Sequence, residues 1–178
     1  MLPKDSFYTI IQCNSKEEWP KIRIDALKLA PYVCFVDDDD VVVNNSIPIC
    51  LQAMEENDVG VVFTDEELVD LNGNTLSIRD GVRRYDDNIN TPWSVHHLSV
   101  IQSNAVVDNL DHLLDQIDGV EWFIRSSAMK SKGALHVPII GYKWSFYETQ
   151  TSKQYSTYFK RTFDICRSGP IPQYALNM

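Results

Sequence analysis

Two periods organise the apolar positions of the chain. Trp19, Ile22, Ala26, Leu29 and Ala30 recur at helical spacing with Lys21, Arg23, Asp25 and Lys28 between them, which predicts an amphipathic helix. Ser15 with Glu18 fits a capping box, Pro20 suits a first turn, and Pro31 stops the helix. Ahead of it, Phe7 to Gln12 is short, β-branched and aromatic, and runs into Cys13-Asn14-Ser15, the pattern of a strand and a turn. Beyond Pro31, Tyr32 to Val36 is an uncharged, β-favouring run of the kind found in strands covered on both faces of a parallel sheet. Ser46 and Pro48 open a second helix, with Ile47, Cys50, Leu51 and Met54 on its apolar face and its end near Asn57. Val59 to Thr64 reads as the next buried strand. This alternation predicts an α/β fold with a mostly parallel central sheet flanked by helices.

The second half is patterned differently. Asn72-Gly73 between short apolar pieces predicts a hairpin within Leu68 to Leu76, and Ser77 to Thr91 is a polar excursion that reads as a substrate loop. Val107, Leu110, Leu113, Leu114 and Ile117 predict a further helix. Glu121 to Lys132 predicts another, ended by Gly133, and Ala134 to Val137 and Ile139 to Trp144 predict late strands.

Composition narrows the function classes. At 178 residues the chain has the length of one domain, and 44% hydrophobic with 23% charged residues supports a real core. The net charge of -9 argues against an undirected grip on nucleic acid or an anionic membrane surface. No apolar run approaches the ~18 residues of a membrane span, so a soluble, cytoplasmic protein is expected. Cys13, Cys34, Cys50 and Cys166 lack the close spacing of zinc or redox sites and read as reduced thiols.

One segment carries chemistry. Asp37-Asp38-Asp39-Asp40 follows directly on an apolar strand, and in open α/β sheets the carboxyl ends of strands are where ligands bind. Adjacent carboxylates repel one another, and their hard oxygens suit Mg²⁺ or Mn²⁺ held together with substrate phosphates. The plainer alternative is a polar turn that ends in a helix cap.

The stretch Lys21 to Asp40, KIRIDALKLAPYVCFVDDDD, resembles the glycosyltransferases of the GT-A fold, above all the inverting family 2, with its "Ala-x-Gly-x-Tyr-Ile-x-Phe-Leu-Asp-Ala-Asp-Asp" segment. Val59 to Asn74 is similar to the strand and acidic hairpin that follow in that family, and Gly119 to Pro138 to its "Gly-Glu-Asp-x-Asp-Leu-x-Leu-Arg" helix. The resemblance implies a single GT-A-like domain over residues 1–178. Its nucleotide and metal half would span about 1–75, its acceptor half about 76–154, and a tail 155–178. It also implies a nucleotide-sugar donor, a saccharide, lipid or protein acceptor, and a Mn²⁺ or Mg²⁺ ion.

Carried over by position, Asp37 would lie near the donor ribose, Asp39 would bind the metal with Asp40 as alternative, and Glu121 would be the catalytic base. The base is needed because the attacking hydroxyl must lose its proton. Lys21 or Arg23 matches a basic donor-side residue of the family's preceding helix. Trp122 offers a sugar-stacking face or core packing. His96 and His97 would point in opposite directions on a strand, so one of them, His97 for preference, could line the acceptor pocket. Arg79, Arg83 and Arg84 form a basic cluster on the polar excursion, and Tyr147 or Glu148 stands near where relatives have a metal-binding His. The segment before Asp37 is short for the family's opening strands, which affects the base-recognition end of the site. A haloacid-dehalogenase-like phosphohydrolase using Asp37 and Asp39, and a non-catalytic acidic module derived from a glycosyltransferase, are the competing readings.

Overall fold

The computed structural model describes residues 10–13, 15–79, 95, 97–114 and 120–146. Its first helix, α1, spans Trp19–Leu29 behind a 3-10 turn at Lys16–Glu18, with Pro20 in the first turn, where its missing N–H costs no hydrogen bond. The capping box does not form: the N–H of Glu18 reaches the backbone carbonyl of Ser15 (3.2 Å), which closes the 3-10 turn, and Glu18 itself stands at the helix start without a side-chain cap. Strands β1 (Tyr32–Cys34) and β2 (Val41–Val42) follow, then α2 (Ser46–Asn57), whose range agrees with the sequence pattern. Next come β3 (Val61–Val69), β4 (Thr75–Arg79), β5 (Ser99–Gln102), α3 (Val120–Lys132) and β6 (Ala134–Ser145).

The strands form one sheet in the order β1-β5-β3-β6-β2, with β4 paired to the far half of β3. Here the expectation of a mostly parallel sheet is corrected. Among the described strands only β3 and β6 run parallel; β1/β5, β5/β3, β3/β4 and β6/β2 are antiparallel. Among the described strands the apolar run at Tyr32 therefore stands at the edge, with Val33 buried and Tyr32 and Cys34 half-buried.

Helices nevertheless cover both faces. Val61 and Phe63 of β3 join Ile24 of α1 and Ile124, Ala128 and Met129 of α3 in one core, while Val62 joins Cys50 and Met54 of α2 in the other. This period-two split of β3 is why its first three residues read as a continuous apolar run. Gly60 lets α3 pack closely: a Cβ there would stand 2.3 Å from the Ala128 carbonyl oxygen. Gly133 ends α3 at φ 79°, its N–H bonded to Met129 O (2.7 Å), a left-handed cap that glycine adopts without strain.

Three further expectations change. Residues 10–12, the described part of the strand expected at Phe7 to Gln12, are not in a strand, and Ile10 and Ile11 are exposed rather than supported by the sheet. The helix expected from Val107 is absent through Leu114 apart from a 3-10 turn at Asp111–Leu113. The Ser127 hydroxyl takes the N–H groups of Val107 and Asp108 (3.0 and 3.1 Å), and Asn109 Oδ1 takes that of Asp111 (2.9 Å), so side chains satisfy donors that a helix would otherwise use. The two late strands merge into β6. Its register with β3 steps from Thr64↔Val137 to Asp65↔Ile140, so Pro138, which has no N–H to give the ladder, falls in a bulge.

Asn72-Gly73 makes the expected turn, with Gly73 at φ 82° and Asp70 Oδ1 accepting the N–H groups of Asn72 and Asn74, both at 2.8 Å. Cys13, Cys34 and Cys50 are free thiols; burial pushes Cys50 up to about 12 and Cys34 also upward, which keeps both protonated and unreactive. Among the described residues no helix is long and apolar enough to cross a membrane.

Candidate active site

The acidic run forms a turn directly beyond β1, closed by the Asp40 N–H on the Asp37 carbonyl (3.3 Å). Strand β6 pins it. Tyr142 hydroxyl accepts the Asp37 N–H (3.1 Å), Ser145 N–H donates to Asp40 Oδ1 (2.8 Å), and Ser145 Oγ donates to the Asp39 carbonyl (2.6 Å). The Asp40 carboxylate is thus turned toward the protein, with its Oδ2 buried and lacking a hydrogen-bond partner. Burial pushes Asp40 up to about 6, and Asp39 and Asp37 add to the rise against the Ser145 N–H and the Tyr142 hydroxyl. Tyr142 is fully buried, and burial followed by the charges of Asp40 and Asp37 raises its phenol well above the ordinary range, so it stays protonated.

The antiparallel pairing of β1 with β5 assembles the site. Cys34 stands opposite Val100 in that register, so the residues that follow β1 and those that precede β5 leave the sheet side by side. His97 Nε2 lies 4.0 Å from Asp37 Oδ2 and 3.7 Å from Glu121 Oε1. Its Nδ1 is 3.1 Å from the Phe35 carbonyl oxygen, which can only accept, so Nδ1 carries a proton and Nε2 faces the two carboxylates. The ring stacks on Tyr142 with centroids 4.9 Å apart.

Glu121, in the first turn of α3, is the centre of the charge. Its Oε2 is 3.7 Å from Arg23 of α1, and its Oε1 accepts a hydrogen bond from Arg125 one turn along the same helix. Burial raises Glu121, but Arg125, His97 and Arg23 together outweigh it and hold the carboxyl below the ordinary glutamate range. Asp37 goes the other way: burial lifts it, Glu121 and Asp39 add to that, and His97 and Arg23 pull against them. The Arg23 guanidinium also lies over the rings of Trp19 and Phe35, 5.2 and 5.6 Å from their centroids.

Four residues singled out in the sequence therefore meet: Asp37, His97, Glu121 and Arg23. Lys21 does not join them. Its ammonium bonds Asp25 on the exposed face of α1, with 71% of its side chain accessible. Trp122 carries the Arg125 guanidinium over its ring at 4.5 Å, so at least one of its faces is already covered. Arg79 pairs with Glu66 (2.6 Å) and lies over Trp144, on β4 rather than among these groups. His96, Arg83, Arg84, Tyr147 and Glu148 lie outside the described residues. Among the described residues no three acidic, histidine or cysteine side chains are grouped to hold a metal ion.

Arg125 was not anticipated. Glu121 and Arg125 stand four apart with the acid on the amino-terminal side, the favourable orientation for a helical ion pair, and Ile124 and Ala128 beside them are apolar. That combination is the signal for a buried pair. No protein-family model matches the chain, and no curated protein matches its sequence.

Proposed function

We propose that the chain is a GT-A-type glycosyltransferase of the cytoplasm that moves a sugar, with inversion, from a nucleotide-diphosphate donor to a hydroxyl of a saccharide, lipid or protein acceptor. The observation that carries this reading is the convergence of Asp37, His97, Glu121 and Arg23, drawn from separate segments of the chain, beside the end of β1. In this reading Glu121, held ionised by its cationic neighbours, takes the acceptor proton, and His97 Nε2 orients the hydroxyl between Glu121 and Asp37. Arg23 offsets negative charge on the donor side.

The acidic turn has the right donor chemistry for Mg²⁺ or Mn²⁺. Asp39 would hold such an ion, with Asp40 as the alternative and substrate oxygens completing its shell, since these ions seldom take a full protein cage. When bound, the ion would supply positive charge to the leaving nucleoside diphosphate.

A non-catalytic module derived from the same family is the second reading. It is favoured by the matching of both Glu121 oxygens to guanidinium groups, which makes that carboxylate a weak proton acceptor. A thermal-shift panel of UDP-, GDP-, CDP- and dTDP-sugars, with and without Mn²⁺, tests the donor site. A metal-dependent rise in melting temperature with one nucleotide, lost in Asp39→Ala, is the expected result; no rise with any of them removes the glycosyltransferase reading. Turnover lost in Glu121→Gln with donor binding retained distinguishes enzyme from binding module.

A further inference from the structure

Arg125 is among the largest side chains fully withdrawn from solvent, at 1% exposure. A lone buried guanidinium is costly, because desolvation is repaid only by close partners. Arg125 uses two different nitrogens for two different segments: one terminal NH₂ donates to Glu121 and the other to the backbone carbonyl of Val95, while the indole of Trp122 covers its face. Its Nε is buried with no partner, so the donors that are satisfied are the ones that tie these segments together. Val95 is itself fully buried, two residues before His97.

We propose that Arg125 is a positioning residue that locks Glu121 and the segment carrying His97 into one unit, fixing the approach of the His97 Nε2 to the Glu121 carboxylate. The inference rests on the functional reading only in taking Glu121 and His97 as site residues. The planar guanidinium suits this task because its N–H groups diverge at fixed angles, and a lysine ammonium in its place could follow one partner but not hold both. Arg125 is also the first of the groups that lower the proton affinity of Glu121, ahead of His97 and Arg23.

The test follows the carboxyl carbon of Glu121 and the carbonyl carbon of Val95 by NMR in the full chain as the pH is lowered. The Glu121 signal is identified by its loss in Glu121→Gln. In Arg125→Met the Glu121 midpoint is expected to rise and the Val95 carbonyl to shift as it loses its donor. In Arg125→Lys the Glu121 midpoint returns toward the native position while the Val95 shift remains. A folded Arg125→Met with both signals unchanged overturns the proposal, and so does an Arg125→Lys that is native in both.

If Arg125→Met does not fold, the lysine variant and Arg125→Met made in the Glu121→Gln background decide. Coupling is expected: removing the stranded carboxylate should restore folding to the double variant, and a double variant as unfolded as Arg125→Met overturns the proposal. None of these readouts needs a sugar nucleotide. A failed donor panel would remove the glycosyltransferase reading and leave this inference standing, whereas unchanged titrations would do the reverse.

Discussion

Glu121 is buried and Asp40 half-buried, and their environments drive these two carboxylates in opposite directions. Burial raises the proton affinity of each. At Glu121 two guanidiniums and an imidazole overcome it; at Asp40 a backbone N–H and a phenol do not, and neighbouring aspartates reinforce the rise. The difference lies in the partner's charge, since the more deeply buried Glu121 is the one kept ionised. A neutral donor orients a carboxylate, while a cation also keeps it ionised. The site thus has one carboxylate committed to its charge and one that takes up a proton far more readily than usual, at about pH 6, a division that pairs of acids show when their surroundings separate their proton affinities.

The largest expected effect breaks the charged half of this comparison. Glu121→Leu removes the carboxylate partner of Arg125 and leaves a buried cation, a change that typically costs about 3–5 kcal/mol. Urea unfolding should show that loss as a lower midpoint with an unchanged slope. Glu121→Gln keeps an acceptor oxygen for the Arg125 N–H and should lose clearly less. Equal losses in the two variants would mean that shape, not charge, is what Glu121 contributes.

Asp40→Asn sharpens the other half, because the amide keeps an acceptor for Ser145 N–H and removes only the charge. The folded protein holds the Asp40 proton up to about 6, against an ordinary value of 3.8, so it binds that proton more tightly than the unfolded chain does. The Asp40 contribution to stability should therefore fall as pH rises from about 3.8 to about 6 and stay reduced above that range. The Asn variant lacks this fall. In metal-free buffer it should equal the native protein below the window and exceed it above, by less than the Glu121→Leu loss. A difference that is constant with pH would show that Asp40 does not titrate there.

The same contrast explains how much could be read from the sequence. The helices α1, α2 and α3 were legible because their apolar spacing, prolines and terminal glycine are local signals. The direction and place of each strand were not. Tyr32 to Val36 has the same composition whether it has two sheet neighbours or one, and its edge position follows from pairing with Ser99–Gln102, a four-residue strand too short to show a period. Val107 to Leu114 carried helical spacing, but a serine on α3 competes for its N–H groups, and no local pattern reports that.

The site divides in the same way. Asp37 and Glu121 stood out through their motifs. Their meeting with His97 depends on the β1/β5 register, and the choice of Arg23 over Lys21 depends on which face of α1 turns inward. Both are tertiary facts.

That choice supports the last and smallest expectation. Lys21 and Arg23 are two residues apart on α1, so they point away from each other, and only Arg23 reaches Glu121. Lys21 instead pairs with Asp25 in the open, where ion pairs contribute little because water and salt screen them and two long side chains must be ordered. Lys21→Met should leave the unfolding midpoint, the Glu121 titration and any nucleotide-induced thermal shift where they are in the native protein. Arg23→Met should raise the Glu121 midpoint, by less than Arg125→Met does, since Arg23 ranks below Arg125 among the groups acting on it. If Lys21→Met instead abolished nucleotide binding while Arg23→Met did not, the donor side of the site would lie on the outer face of α1, and the convergence beside β1 would be a structural ion-pair network.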